Sequence, residues 1–471
     1  MIFRNKTKII ATIGPASNGL PVLRSMLRAG ADILRINGAH GNAAEHKRSI
    51  AAVRAAAKGL GLTVAVLVDL PGPKFRIGKL KREPMRLKKG EGVTLLCGSD
   101  SQKNSSIPIP HNIHLSLKVG NPIFMNDGAV ELRVLRIKGR EIECSVKAGG
   151  EISSHKGINL PGTKLSVPSL TARDKRILRF AIREKVDYVA LSFVRSAKDM
   201  VALRRMLKRS APHIGIIAKI EKPEALKDMD AIIAASDAIM VARGDLGIEV
   251  PFDRLPGIQR DILARCLRAG KPSITATQML ESMILAEKPT RAEATDVAQA
   301  VWEGSDAVML SAETSVGINP AAAVEAMARI ALEAEGCMPH LESMECHGSA
   351  EVRQAQVISR AAGFIAESLN ARAIVAPTRS GRTPLFISRN RAAVPVIALT
   401  EDQRTARRMC LYWGVSPMAM PRASTVDKLL AQAERAAFRS AFIRHGDTIV
   451  IASGAHGQKG DITRLVEVRR V

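Results

Sequence analysis

A count constrains this chain more than any other feature. From residue 7 onward, short β-rich apolar runs alternate with amphipathic helical stretches, and eight such runs can be read, at 8–13, 33–37, 64–69, 188–193, 215–220, 238–242, 273–277 and 307–310. Strand and helix text in strict alternation builds parallel sheet through crossover units. Eight strands is the number that closes a (β/α)8 TIM barrel. Local punctuation agrees: Gly30 follows helical residues 22–29, Thr171 with Asp174 opens a helix, and Gly270-Lys271-Pro272 ends one.

Between the third and fourth runs lie about ninety residues, far more than an ordinary βα connection holds. An inserted domain is expected there, and its short strands separated by Gly and Pro turns predict a small β-barrel or sandwich acting as a lid. After the eighth run a helix over 321–334 leads into a stretch with Gly336, Pro339 and Gly348 that reads as a linker. Beyond it, strand-like text at 373–376, 394–398 and 448–452 alternates with helical text, predicting an open α/β sheet. The expected division is a barrel over 1–76 and 168–340, an insert over 77–167 and a C-terminal α/β domain with a regulatory role over 341–471. No internal repeat stands out.

A chain of 471 residues with 46% hydrophobic content has material for more than one core. No apolar run is long enough to cross a bilayer, and the first residues lead straight into strand text, so a cytoplasmic protein is expected. Six cysteines without a C-x-x-C pair suggest neither a disulfide framework nor structural zinc. A net charge of +25 fits a nucleic-acid partner, an acidic small substrate or a solvated basic surface alike. Only 3% of residues are aromatic and no nucleic-acid-binding motif is present, so phosphate metabolites fit at least as well.

In such barrels the working groups sit at the C-terminal ends of strands and just after them. Those places carry Arg35 and Asn37, Asp69, Ser192, Lys219 and Glu221, Arg243-Gly244-Asp245, and Thr277-Gln278. Glu221 and Asp245 offer two hard oxygen ligands to a divalent ion, magnesium or manganese, that keeps its other positions for water or substrate. Lys219 lies two residues before Glu221, so strand alternation points both the same way and sets a cation beside the metal. A transferring phosphoryl group needs such a charge. A structural Lys219–Glu221 salt bridge stays open at this point, as does a plain βα turn at Gly244-Asp245-Leu246-Gly247.

Longer words add a resemblance. Residues 7–17 (Thr-Lys-Ile-Ile-Ala-Thr-Ile-Gly-Pro-Ala-Ser), 156–162 (Lys-Gly-Ile-Asn-Leu-Pro-Gly), 217–221, 240–247, 276–283 and 289–293 resemble the pyruvate kinase family, in family order and across nearly the whole chain. The resemblance implies the same three-part architecture and phosphoryl transfer between phosphoenolpyruvate and ADP, usually in a homotetramer. It implies that Glu221 and Asp245 bind magnesium and that Lys219 stabilises the phosphoryl group in flight. Arg35 would hold the phosphate, Gly244 and Asp245 amides the carboxylate, and Thr277 would help deliver the proton that completes pyruvate, with Ser192 among the substrate contacts. Asn37, His40, Arg76 and Lys156 match nucleotide positions, and Asp127 matches the closing face of the lid. Lys156 belongs to the insert, so its arrival at ADP requires the lid to close, which also excludes water.

The chain departs from the family's potassium-dependent pattern. It reads Asn37-Gly38-Ala39-His40-Gly41 and Gly72-Pro73-Lys74 where Asn-Phe-Ser-His-Gly and Gly-Pro-Glu are usual. Ala39 and Leu70 supply no side-chain oxygen, and the Lys74 ammonium is expected to stand in for the monovalent ion, so activity without potassium is predicted. In the third domain Thr378, Arg379, Ser380, Gly381, Arg382 and Thr383 resemble the family's effector loop and read as a phosphate cradle at a helix N-terminus, for a sugar phosphate or nucleotide monophosphate. Gly460-Asp461-Ile462-Thr463-Arg464 departs from the family's text there. Two other functions compete: a magnesium-dependent 2-keto-acid lyase or aldolase, for which the insert has no purpose, and basic nucleic-acid binding.

Overall fold

The computed structural model describes residues 5–103, 105–163, 167–338, 346, 349–421, 425–439, 442–454 and 463–471. Eight parallel strands close into a barrel: β1 (Lys8–Ile13), β2 (Ile33–Asn37), β3 (Ala65–Leu70), β4 (Tyr188–Leu191), β5 (Gly215–Ile220), β6 (Ala238–Ala242), β7 (Ser273–Ala276) and β8 (Ala307–Leu310), each beside its sequence neighbour, with β1 pairing β8. Every strand is buried on both faces, which is why the sequence shows apolar runs rather than alternation. Ile10, Ile33, Leu67, Tyr188, Ile217 and Met240 fill one core cluster, while Ile9, Leu34, Val66, Val189, Ile216 and Val241 pack in another with the surrounding helices.

Two strands stop earlier than their apolar runs. Phe193 and Thr277 take positive φ values of 55° and 72°, so the backbone leaves extended geometry before them. The helix punctuation holds: Gly30 and Gly270 close their helices in the left-handed region, at φ 119° and 64°, and Thr171 and Asp174 form a capping box at the start of Ala172–Arg183.

One repeat escaped the sequence reading. The residue just before each even-numbered strand is an aspartate: Asp32, Asp187, Asp237 and Asp306 accept the N–H groups of Ile9, Val66, Ile216 and Ser273 on the preceding strand, at 2.8–2.9 Å. Each also pairs with a cation, respectively Lys8, Arg407, Arg204 and Arg391. The signal is four single residues tens of positions apart, too sparse to read as periodicity.

The insert forms a seven-stranded sheet in the order Phe75–Arg76, Gly157–Asn159, Pro122–Met125, Val130–Lys138, Glu141–Ala148, Gly92–Cys97 and Ile107–Ile109, antiparallel except at its last pair, around its own apolar core. The C-terminal sheet has five strands rather than the three expected. Val415–Ala419 and Thr463–Arg470 are added at its two edges, where partial burial removes the apolar signal. Residues 339–345, 347–348 and 460–462, covering much of the expected linker and of the C-terminal departure, lie outside the described residues.

The C-terminal domain packs on the barrel's N-terminal end. Arg391 pairs with Asp306 at 2.8 Å, Arg407 with Asp187 at 2.6 Å, and the Tyr188 hydroxyl donates to the Arg408 carbonyl. The opposite end, where the strands finish, faces the insert.

Candidate active site

Strand ends bring the predicted residues together at this mouth. Lys219, on β5, lies 2.8 Å from Glu221 Oε1 and 3.2 Å from Asp69 Oδ2, and its ammonium donates to Ser192 Oγ at 2.7 Å. Arg35, on β2, donates from Nε and Nη2 to Asp69 Oδ2 at 2.9 and 2.7 Å and from Nη1 to Thr12 Oγ1 at 3.0 Å. The Phe193 N–H holds Glu221 Oε2 at 2.7 Å. Asp69, a lone carboxylate one residue before the end of β3, thus links the two predicted phosphate-binding cations, a role the sequence reading left unassigned.

Burial in this site is nearly complete, with 1% of the Glu221 side chain and 11% of Lys219 exposed. Burial opposes the Lys219 charge, but Asp69 and Glu221 more than reverse that, so the amine is held well above its ordinary value and stays an ammonium. Burial also works to raise Asp69, yet Lys219 and Arg35 hold it below the usual carboxylate range. Glu221 goes the other way: burial pushes it up, Lys219 offsets part of the rise, and the nearby Asp245 carboxylate adds to it. Two carboxylates that repel each other in a dry site suit a divalent cation. Among the described residues no three His, Cys, Asp or Glu side chains gather to hold a metal.

Asp245 stands in the first turn of the helix Arg243–Glu249, after β6. Its Oδ1 is 3.0 Å from the Lys74 ammonium, with both side chains about a quarter exposed (23% and 27%). Lys74 therefore points into the mouth rather than to solvent, against the carboxylate predicted to bind a metal. The lid lies over it: a Cβ built on Gly157 would sit 3.1 Å from Lys74 Cε and 3.9 Å from Asp127 Oδ1.

Thr277 accepts the Gly244 N–H at 2.7 Å and donates to the Ala276 carbonyl at 2.6 Å. The amide predicted to receive a substrate carboxylate is thus engaged by the threonine. Arg243 fixes the turn, donating to the Thr277 and Gln278 carbonyls at 2.8 and 3.0 Å and to Asp296 at 2.7 Å. Arg243 and Asp296 had no assigned role, although Arg243 stands beside the Gly-Asp word.

The residues predicted to meet the nucleotide form a looser group. Asn37 Oδ1 accepts the Ala39 N–H at 3.1 Å, and Arg76 donates to the His155 carbonyl at 2.8 Å. His40 and Lys156 are exposed on the barrel loop and the lid. Burial lowers the His40 pKa, and Arg76, Arg173, Arg35 and Lys74 lower it further, which keeps the ring neutral in a strongly positive field. In the C-terminal domain the loop 378–383 turns on Gly381, at φ 82°, whose N–H donates to Thr378 Oγ1 at 3.0 Å, and leads into the helix Arg382–Arg389.

Comparison with known proteins bears on this geometry. The family model described as pyruvate kinase, barrel domain, matches residues 4–324, and that described as pyruvate kinase, alpha/beta domain, matches residues 356–468. A pyruvate kinase of Agrobacterium vitis is 42% identical over 95% of this chain and 95% of its own length. One of Geobacillus stearothermophilus is 39% identical over 99% of this chain and 80% of its own, and one of Clostridium acetobutylicum 38% over 99% of both.

Proposed function

The chain belongs to the pyruvate kinase family and transfers the phosphoryl group of phosphoenolpyruvate to ADP, giving pyruvate and ATP in glycolysis, and on that premise we propose that Lys219, Arg35 and Thr277 carry the chemistry. Neither the lyase nor the nucleic-acid alternative gains support from the similarities.

One observation supports this reading above the rest: a single ammonium, Lys219, within 3.2 Å of two buried carboxylates and held by a serine hydroxyl. A charge fixed before substrate arrives needs no reorganisation when the phosphoryl group moves, and acts strongly in a dry site. Arg35 and Lys219 together bind and neutralise the phosphoryl oxygens. Asp69 keeps both cations aimed. The family needs a divalent metal; Glu221 and Asp245 would hold it, magnesium fitting their hard oxygens, and it would supply Lewis-acid charge to the phosphoryl group. For the Gly244 amide to meet the substrate carboxylate, Thr277 must release it, and for the hydroxyl to help deliver a proton to the enolate carbon its hydrogen must also leave the Ala276 carbonyl. Asn37, His40, Arg76 and Lys156 bind ADP, the last as the lid closes with Asp127 on its inner face.

Lys74 replaces the monovalent cation in this proposal, and its pairing with Asp245 supports the idea that a fixed charge occupies that part of the mouth. The loop 378–383 binds a phosphorylated effector. The protein is a cytoplasmic homotetramer; among the described residues no helix is long and apolar enough to cross a membrane. Leu285, Val316 and Ile318, exposed on adjoining loops joined by an Ile318 N–H to Ile284 carbonyl bond, favour association.

The test is a coupled assay for pyruvate formation with intact protein and Lys219→Met. The variant is expected to fold, bind ADP and lose at least about a hundredfold in kcat. Undiminished turnover in the folded variant would rule Lys219 out.

A further inference from the structure

Lys222 is 5% exposed, rare for a lysine without a strong partner. It immediately follows Glu221. Its Nζ lies 2.6 Å from Glu249 Oε1, at the last residue of the helix whose first turn holds Gly244 and Asp245. The same carboxylate oxygen receives Asn159 Nδ2 at 3.5 Å, from the lid strand Gly157–Asn159. The Lys222 ammonium also stands 5.9 Å from the ring centroid of Phe193, the residue whose N–H holds Glu221. One buried charge therefore touches the turn that aims Glu221, the helix that carries Asp245 and, through Glu249, the lid. Glu249 Oε2 and Asn159 Oδ1 are buried without a hydrogen-bond partner among the described residues, so Lys222 is the strongest bond this joint has.

We propose that Lys222 is a positioning residue: through Glu249 and Phe193 it fixes the spacing of the two carboxylates that hold the divalent ion. This rests on Glu221 and Asp245 being the metal ligands. Groups that orient ligands from behind typically change metal affinity or activity by about 10- to 100-fold when removed. A residue that merely adds stability would lower the melting temperature and leave metal saturation alone.

The experiment measures Mg2+ binding to the full chain directly, by the rise in melting temperature with added Mg2+, beside the half-saturating Mg2+ concentration and kcat, for wild type, Lys222→Met, Lys222→Arg and Lys219→Met. Lys222→Met is expected to raise half-saturating Mg2+ about tenfold while changing kcat at saturating Mg2+ less than about threefold, and Lys222→Arg to restore most of the loss. Removing the lysine leaves Glu249 as a buried unpaired anion, so Lys222→Met can fail to fold. The double variant Lys222→Met/Glu249→Gln, which removes both charges, then decides, with the same rise expected. Wild-type Mg2+ saturation in a folded Lys222 variant overturns the proposal while leaving the site intact, provided Lys219→Met is inactive. Full activity in Lys219→Met would instead overturn the site reading beneath it.

Discussion

Thr277 holds φ at 72°, a conformation that strains a β-branched residue by roughly 1–3 kcal/mol. Its hydroxyl pays for part of that by bridging the Gly244 N–H and the Ala276 carbonyl. Thr277→Ala loses the bridge and keeps the strain, whereas Thr277→Gly loses both, so the glycine variant should be the more stable by roughly 1 kcal/mol, with both slowed in turnover. Thermal melts that rank alanine above glycine would refute stored strain at this turn. Lys74 can be judged alone too. If its ammonium replaces a monovalent ion beside Asp245, activity in sodium or tetraalkylammonium should match that in potassium, and Lys74→Met should lose about tenfold or more in sodium and potassium alike, because Ala39 and Leu70 offer potassium no side-chain oxygen. A wild-type enzyme that requires potassium would refute the replacement. That Lys219, Glu221, Arg35 and Asp245 lie at the mouth was legible because each stands at or just after the end of a strand. The joining of Asp69 to Lys219 was not, because it spans β3 to β5 and no local pattern encodes which carboxylate a cation meets.

The elements were legible where burial is two-sided. Strands β1, β2, β5, β6 and β8 begin and end where their apolar runs do, because a strand between barrel interior and helix layer has no polar face. The edge strands Val415–Ala419 and Thr463–Arg470 were missed for the converse reason. The aspartates before the even strands act at this scale. Burial would raise the Asp237 carboxyl, but Arg204 and the Ile216 N–H hold it below its ordinary 3.8. A carboxyl held down in the fold contributes stability that is full above about pH 4 and lost as pH falls through the folded value. Asp237→Asn should therefore lower Tm near pH 7 and cost progressively less below about pH 3. A deficit that stays constant across that interval would mean the aspartate works by shape, not charge.

Across the whole molecule, the barrel interior does not end at the barrel. Ile10, Tyr188, Ile217 and Met240 share one apolar cluster with Ile374, Ile387, Val396 and Met409 of the C-terminal domain. A fragment ending at residue 338 would expose that cluster, and is expected to aggregate rather than fold; a soluble, cooperatively melting fragment would contradict a shared core. At the rim of this joint Arg391 and Asp306 are 5% and 9% exposed. Arg391→Ala should cost roughly 3 kcal/mol in urea unfolding, since it strands a buried carboxylate, although the Ser273 N–H still holds Asp306. By itself the sequence determined the eight strands, the insert, the third domain, the family and most residues at the mouth, because apolar periodicity, caps and short words are local properties of a chain. Only the tertiary structure decided that Lys74 meets Asp245 across 171 residues, that the Gly244 amide is taken by Thr277 and that Lys222 is buried against Glu249. Those pairings follow from closing the barrel, which sets the distances between strand ends, and a charge selects its partner by distance and burial rather than by sequence.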